Sequence, residues 1–256
     1  MRIDPTGQAP TALVKRAGSR TYERLDWLDA WHSFSGAQYR AGTNSHFGVL
    51  VNHDHTVIRA ATGFDTHYHR NMEIISWVLD GSLVHRDTRG HSGLIHPGLA
   101  QRMTAGTGIL HSERNDSWVL DGPRHDRDVE LVQMWVVPDA ANVAPSYEQL
   151  DISAELDAGA LVLVASGLDR HSDDAAIRLR NRFAAMHAAR LAPGGRAVLP
   201  AARWVHVYVP RGSVEVEGLG VLDAGDAARF TAETGRRLTA RAAAEVLVWE
   251  MHTTLA

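Results

Sequence analysis

Short apolar or alternating segments recur along this chain, and glycine, proline, aspartate or asparagine breaks them before any reaches helical length. Phe47 to Val51, Thr56 to Ala60, Ile74 to Leu79, Leu131 to Val137 and Leu161 to Val164 are examples. A period of two puts successive side chains on opposite faces of a strand, whereas long amphipathic helical periods are scarce here. The pattern predicts a mostly β protein. Asp80-Gly81 between two strand-like runs reads as a hairpin turn, and Pro97-Gly98 and Gly106-Thr107-Gly108 read as tight bends before the next strand. The Ala-rich stretch from Ala175 to Leu191 leans towards strand through its alternation at Ile177, Leu179 and Phe183, although alanine also tolerates helix.

An internal repeat divides the chain. Val78-Leu79-Asp80-Gly81-Ser82-Leu83-Val84 is matched by Val209-Pro210-Arg211-Gly212-Ser213-Val214-Glu215, and Pro97-Gly98 by Ala224-Gly225 in the phrase Leu222-Asp223-Ala224-Gly225-Asp226-Ala227. Pro138 to Pro145 is a small-residue segment after a long β-rich block, so the boundary is expected there: one domain over 1–140 and a second over 141–256. With 256 residues, each half has enough chain to bury its own core.

Composition removes several function classes. The 26 basic and 30 acidic residues give a formal charge of -4 with no dense basic run, so no footprint for direct nucleic-acid or anionic-membrane binding is present. No cysteine occurs, which excludes disulfides, thiolate ligands and cysteine nucleophiles and fits a reducing compartment. Neither a signal-peptide pattern nor a membrane-length apolar run is found, and the expected location is cytoplasmic. Histidine is the outlier: there are 15, crowded between His46 and His125.

On a strand, residues two apart project from one face, so His67 and His69 point together, as do His111 and Glu113. Two such pairs on neighbouring strands can close on one ion. Imidazoles with one carboxylate suit non-haem iron(II), and equally manganese, nickel, cobalt, copper or zinc. The repeat offers a control: a shift of about 131 residues puts Val198 and Pro200 where the first copy has His67 and His69, and a slightly shorter one puts Leu238 and Ala240 opposite His111 and Glu113. The second half therefore lacks the polar set. His53-Asp54-His55 is read differently, as the solvated tip of a hairpin formed by Asn52 to His55. His85, His91 and His96 are read as rim or core histidines outside the ligand set. Trp77 and Trp135 are read as core rather than cofactor contacts.

The stretch Gly63-Phe64-Asp65-Thr66-His67-Tyr68-His69-Arg70-Asn71-Met72-Glu73-Ile74, with Met103-Thr104-Ala105-Gly106-Thr107-Gly108-Ile109-Leu110-His111-Ser112-Glu113, closely resembles the pirin family of the cupin superfamily. The likeness extends to Trp27-Leu28-Asp29-Ala30-Trp31-His32-Ser33-Phe34 and to Tyr147-Glu148-Gln149. It implies a bicupin, two tandem jelly-roll β-barrels, with iron(II) held in the first barrel by His67, His69, His111 and Glu113. Two departures stand out. Tyr68 replaces the proline usual between the first histidines, and Leu99 stands where an acidic residue is common. Glu73 occupies the position of the carboxylate ligand in many other cupins, but the resemblance favours Glu113, and a supporting hydrogen bond is expected of Glu73.

Bacterial proteins of this resemblance act as quercetin 2,3-dioxygenases, which open the flavonol heterocycle and release carbon monoxide. The implied partners are an aromatic flavonol-like substrate and dioxygen. In the implied mechanism Glu113 is both ligand and catalytic base, taking the proton of the flavonol 3-hydroxyl. Animal pirins carry the same motifs and are described as iron-dependent cofactors of transcription factors, so a non-enzymatic regulator acting through a protein partner is the competing reading. A cupin isomerase or sugar-binding cupin is a third.

Overall fold

The computed structural model describes residues 11–34, 44–115 and 126–255. His125, one bound of the histidine-rich region, lies outside the described residues. Strands dominate, and the single described α-helix, Ser153–Asp157, is five residues long. Among the described residues no helix is long and apolar enough to cross a membrane.

Two sandwiches of the same plan stand back to back. In the first, a seven-stranded sheet runs in the order Ser146–Asp151, Leu99–Thr104, Glu73–Asp80, Val129–Val136, Leu50–Ile58, Leu28–His32, Thr21–Leu25. It faces a four-stranded sheet ordered Gly63–His69, Ile109–Arg114, Leu83–Asp87, Ser92–Ile95. The second sandwich repeats this 7 + 4 plan, its small sheet being Arg196–Val198, Arg237–Ala240, Ser213–Val216, Gly220–Asp223. The chain is thus a bicupin.

The sandwiches exchange edges across the division expected near residue 140. Thr11–Lys15 pairs with Ala227–Glu233 in the second, and Ser146–Asp151 pairs with Leu99–Thr104 in the first. Each half therefore completes the other's sheet.

Asp80-Gly81 is a corner rather than a hairpin. Glu73–Asp80 pairs with Leu99–Thr104 and Val129–Val136, whereas Leu83–Asp87 pairs with Ile109–Arg114 and Ser92–Ile95. Gly81, at φ 77°, turns the chain from the large sheet into the small one, and Gly212, at φ 78°, does the same in the second half. The turn chemistry is right for a sharp reversal, but the jelly roll sends the next strand to the other layer. In the Ala-rich stretch, Ile177–Arg178 and Ala184–Leu191 are strands, with Leu179 and Phe183 of the expected alternation in the connection between them.

The large sheets pack against each other, so their central strands are covered on both faces and read as nearly continuous apolar runs. From Glu73–Asp80, Ile75, Trp77 and Leu79 enter a shared core with Trp249, Leu247, Met186 and Tyr208 of the second half. Val78 and Ile74 face the interior of the first barrel instead. Trp77 donates its indole N–H to Glu245 at 2.6 Å, and Trp249 points its own at the Met134 sulfur at 3.2 Å.

His53-Asp54-His55 is not a hairpin tip. It lies inside the continuous strand Leu50–Ile58, with His53 fully buried and His55 nearly so. Asp54 and Thr56 face the first barrel's cavity, while His53 packs at 4.5 Å from the Tyr208 ring. His55 Nδ1 accepts from Tyr208 Oη at 2.6 Å, and its Nε2 donates to Glu130 at 2.7 Å. The polar triplet resembles a turn until residues more than 150 positions away cover it.

Candidate metal centre and its cavity

Gly63–His69 is the edge strand of the small sheet and pairs with Ile109–Arg114, placing His67 directly opposite His111. The ring centroids of His67 and His111 are 4.4 Å apart, those of His67 and His69 4.8 Å, and those of His69 and His111 5.0 Å. These three histidines offer ligand atoms all within 4.8 Å of one another.

Glu113 joins a second group of the same span, with His111 and His85. The register shifts between His111 and Glu113, so Glu113 lies opposite Phe64 while His111 stays opposite His67. The extra residue lies on Gly63–His69, since His111 to Arg114 keep an unbroken register with Leu83–Asp87. His111 is the member common to both groups.

Hydrogen bonds prepare the imidazoles. His67 Nδ1 donates to the Asp65 carbonyl at 2.7 Å, which leaves Nε2 as the lone-pair nitrogen. Nε2 of His69 and Nε2 of His111 are buried with no hydrogen-bond partner. Buried polar atoms without partners are rare, and a cation bound by these two nitrogens would satisfy them. Burial first, and then the neighbouring imidazoles, pushes His69 down to about 4, and burial likewise pushes His111 down to about 4. Both are neutral at physiological pH, the form that coordinates a cation. A nitrogen-rich, thiolate-free donor set of this kind fits a divalent transition ion.

Glu113 is 2 % exposed, yet its carboxyl is held below the ordinary range. Burial opposes ionisation, but His111, His85 and two hydrogen bonds outweigh it. Ser76 Oγ donates to Oε1 at 2.7 Å and Gln133 Nε2 to Oε2 at 2.6 Å. Trp135 Nε1 donates to Gln133 Oε1 at 3.0 Å, which fixes the amide with its NH2 towards Glu113.

His85 is fully buried against the centre. Its Nε2 donates to Asp87 Oδ2 at 3.3 Å, and its Nδ1 faces His111 Nδ1 at 3.5 Å, the outer limit of a hydrogen bond. In that tautomer His85 accepts from His111 Nδ1–H and leaves His111 Nε2 bare. Asp87 also accepts from His91 Nδ1 at 2.9 Å, and the His91 and His85 rings both lie against Tyr147.

The centre opens on a cavity of about 290 Å³ in the first barrel. His67, His69, Glu113, Gln133 and Trp135 line one part, and Leu28, Ala30, Ile58, Phe64, Leu83 and Leu131 give it an apolar body. Glu23, His32 and Asp54 line a further polar part. The hydrogen bond that His32 donates to Asp54 comes first among the influences on its pKa and raises it, against the opposing effect of burial.

Sequence reasoning grouped His67, His69, His111 and Glu113, and the structure brings the three histidines together with Glu113 attached through His111. It left out His85, which packs on His111, and it read Trp135 as core, whereas that ring lies 4.9 Å from His69 and lines the cavity. Trp77 is core as read. Ser76 and Gln133 were missed too, although a lone polar residue inside an apolar strand is a usable signal. Tyr68 is 56 % exposed on the outer face, where Gly108 lies against its ring. Glu73 points away from the histidines to Thr104 and the Arg180 backbone, both at 3.0 Å.

In the second half the corresponding register pairs Ala197 with Leu238 and Val214 with Ala240, all buried. Ala197 rather than Val198 takes the place of His67, since Val198 is 57 % exposed. That barrel is filled by apolar side chains.

The sequence profile of the family described as Pirin matches residues 15–136. A Mycobacterium tuberculosis protein named "Putative quercetin 2,3-dioxygenase" is 46% identical over 245 residues, covering 96% of this chain and 97% of the relative. This chain belongs to the pirin family. The quercetin 2,3-dioxygenase of Escherichia coli K12 is 38% identical over 136 residues, 53% of this chain and 56% of that protein. The bacterial pirin YhhW of Escherichia coli, solved in complex with nickel(II), superposes with a TM-score of 0.82 at 28% identity, covering 96% of this chain and 100% of that one. Pirin membership and the histidine–glutamate cluster together suggest a single metal ion.

Proposed function

We propose that this pirin is a metal-dependent dioxygenase that opens flavonol-like aromatic substrates, with His67, His69, His111 and Glu113 as the metal ligands, iron(II) as the native metal and residues 1–140 as the metal-binding domain. One observation carries the reading: the buried Nε2 atoms of His69 and His111 have no hydrogen-bond partner, and His69 lines a largely apolar cavity together with the ionised Glu113. The names of the Mycobacterium and Escherichia relatives support the reaction class.

A bound divalent ion supplies a Lewis acid that lowers the pKa of a hydroxyl placed on it and organises the reactants. The chain's own residues do the rest. Leu28, Ile58, Phe64 and Leu131 take the flat aromatic body and exclude water from it. Glu113 takes the proton of the flavonol 3-hydroxyl. Two donors already engage its oxygens, and a carboxylate has roughly four lone-pair sites, so capacity for that proton remains. At the other polar part of the cavity, Asp54 and Glu23 offer acceptors to the substrate's remaining phenolic hydroxyls.

The test combines metal analysis of untagged protein with carbon monoxide detection during incubation with quercetin and dioxygen. His67→Ala and His69→Ala are expected to lose both metal and carbon monoxide release. Glu113→Gln is expected to keep metal and lose turnover. Normal turnover by Glu113→Gln refutes the base role. A stoichiometric metal with no carbon monoxide from wild type refutes the dioxygenase reading and leaves the regulator.

A further inference from the structure

Away from the histidine cluster, a smaller cavity of about 100 Å³ opens at the seam between the two barrels. Lys15, Arg20 and Arg229 line it, with Thr21, Ser33 and Asn44 among its polar neighbours. Three cations converge there without an acid among the lining residues.

Arg229 is only 7 % exposed. It donates to Asn44 Oδ1 at 2.6 Å and to the Ser33 carbonyl at 3.1 Å, and it stacks on Phe34 with the guanidinium carbon 4.3 Å from the ring centroid. All these partners are neutral. Its Nε–H is buried with no acceptor. Arg20 donates to Tyr208 Oη at 2.9 Å, and its Nε–H is likewise buried and unpartnered. Among the described residues neither guanidinium forms an ion pair. Nearby carboxylates are engaged elsewhere: Asp226 holds Arg16 and the Ala17 backbone, and Asp54 and Glu23 hold His32. The sequence between Phe34 and Asn44 contains no aspartate or glutamate.

A buried charge is retained when it is paired, and guanidinium groups match oxyanions with paired N–H donors. The positive field is felt by its surroundings. Burial first, and then Arg20 and Arg229, depress His53, and Arg229 contributes to the depression of His206. Burial without a counter-charge lowers Arg229 itself to about 10.

We infer that this seam cavity is a binding site for one small oxyanion, a phosphate or a carboxylate, held by Arg20 and Arg229 with Lys15 beside them. The anion supplies the missing acceptors. Because Ser33 and Asn44 belong to the first half and Ala227 and Arg229 to the second, it also ties the barrels together. It lies outside the proposed metal site and does not depend on the dioxygenase reading.

The experiment titrates the full-length, metal-loaded protein with inorganic phosphate and, separately, acetate, by calorimetry and thermal unfolding, with sodium chloride at matched ionic strength as reference. At least one oxyanion is expected to bind at a single saturable site and, at tenfold excess over its Kd, to raise Tm by about 3 °C. Arg20→Gln is expected to weaken binding about tenfold or more, and Lys15→Gln by a smaller factor. His111→Ala is expected to bind the oxyanion as wild type does, which separates this site from the metal centre. Which arm responds identifies the anion. Equal shifts from sodium chloride, full affinity in both Arg20→Gln and Lys15→Gln, or loss of binding in His111→Ala each overturn the assignment.

Discussion

Gln133 Nε2 stands 2.6 Å from Glu113 Oε2, held in that orientation by the Trp135 indole N–H, 3.0 Å from Gln133 Oε1. A buried carboxylate thereby receives a donor whose own orientation is locked. Gln133→Leu removes the donor from Glu113 and the acceptor from Trp135. The metal-free variant is expected to lose roughly 1–3 kcal/mol, the cost of unsatisfied buried polar groups. Urea unfolding measures it, and wild-type stability in the variant would show that water or relaxation replaces the bond.

Asp87 acts on the proposed centre through His85. Its Oδ2 accepts from His85 Nε2, which turns His85 Nδ1 towards His111. Asp87→Asn keeps the shape and removes the charge that fixes this tautomer. Affinity for a divalent metal is expected to fall about tenfold or more, as at other carboxylate–histidine pairs behind metal ligands. Competition against a chromophoric chelator reads it. Unchanged affinity would make the Asp87–His85 contact purely structural.

Trp77 ties the barrels through its 2.6 Å bond to Glu245, 168 positions away. Trp77→Phe keeps most of the apolar packing but strips Glu245 Oε1 of its donor. A loss of about 1–3 kcal/mol is expected in chemical denaturation. A change of a few tenths would mean that Arg190, 3.5 Å from Glu245, suffices alone.

Acid stability follows from the buried histidines at the seam. His53 falls from 6.5 to about 3 through burial, and His206 is pushed well below 6.5 for the same first reason. Between those values the unfolded chain binds protons that the folded chain refuses, so stability is full above pH 6.5 and declines as pH falls towards 3. Both ring nitrogens of His206 lack partners, so His206→Leu removes one such group without breaking a hydrogen bond. The variant's stability is expected to fall less steeply with acid, by about 1.4 kcal/mol per pH unit for the one proton removed. Parallel curves for variant and wild type across that window would contradict this.

Local pattern made the strands, the tandem repeat and the ligand candidates readable, because strand alternation is a property of neighbouring residues. His67, His69, His111 and Glu113 stand two apart in pairs, and that spacing alone puts each pair on one face. In the second half Leu238 and Ala240 were legible for the same reason, whereas Val198 falls one residue away from Ala197, the buried partner of Leu238. Tertiary structure decided the rest. A register shift puts Glu113 opposite Phe64 while His111 faces His67. His53 and His55 become buried because Tyr208 and His206 arrive from the other barrel. Asp80-Gly81 becomes a corner because Leu83–Asp87 pairs in the opposite layer. His85, Gln133 and Trp135 gain their places around Glu113 only when three strands from two sheets close on one cavity. Periodicity records which way a side chain points along its own strand, whereas burial and partnership are set by contacts between segments distant in the chain.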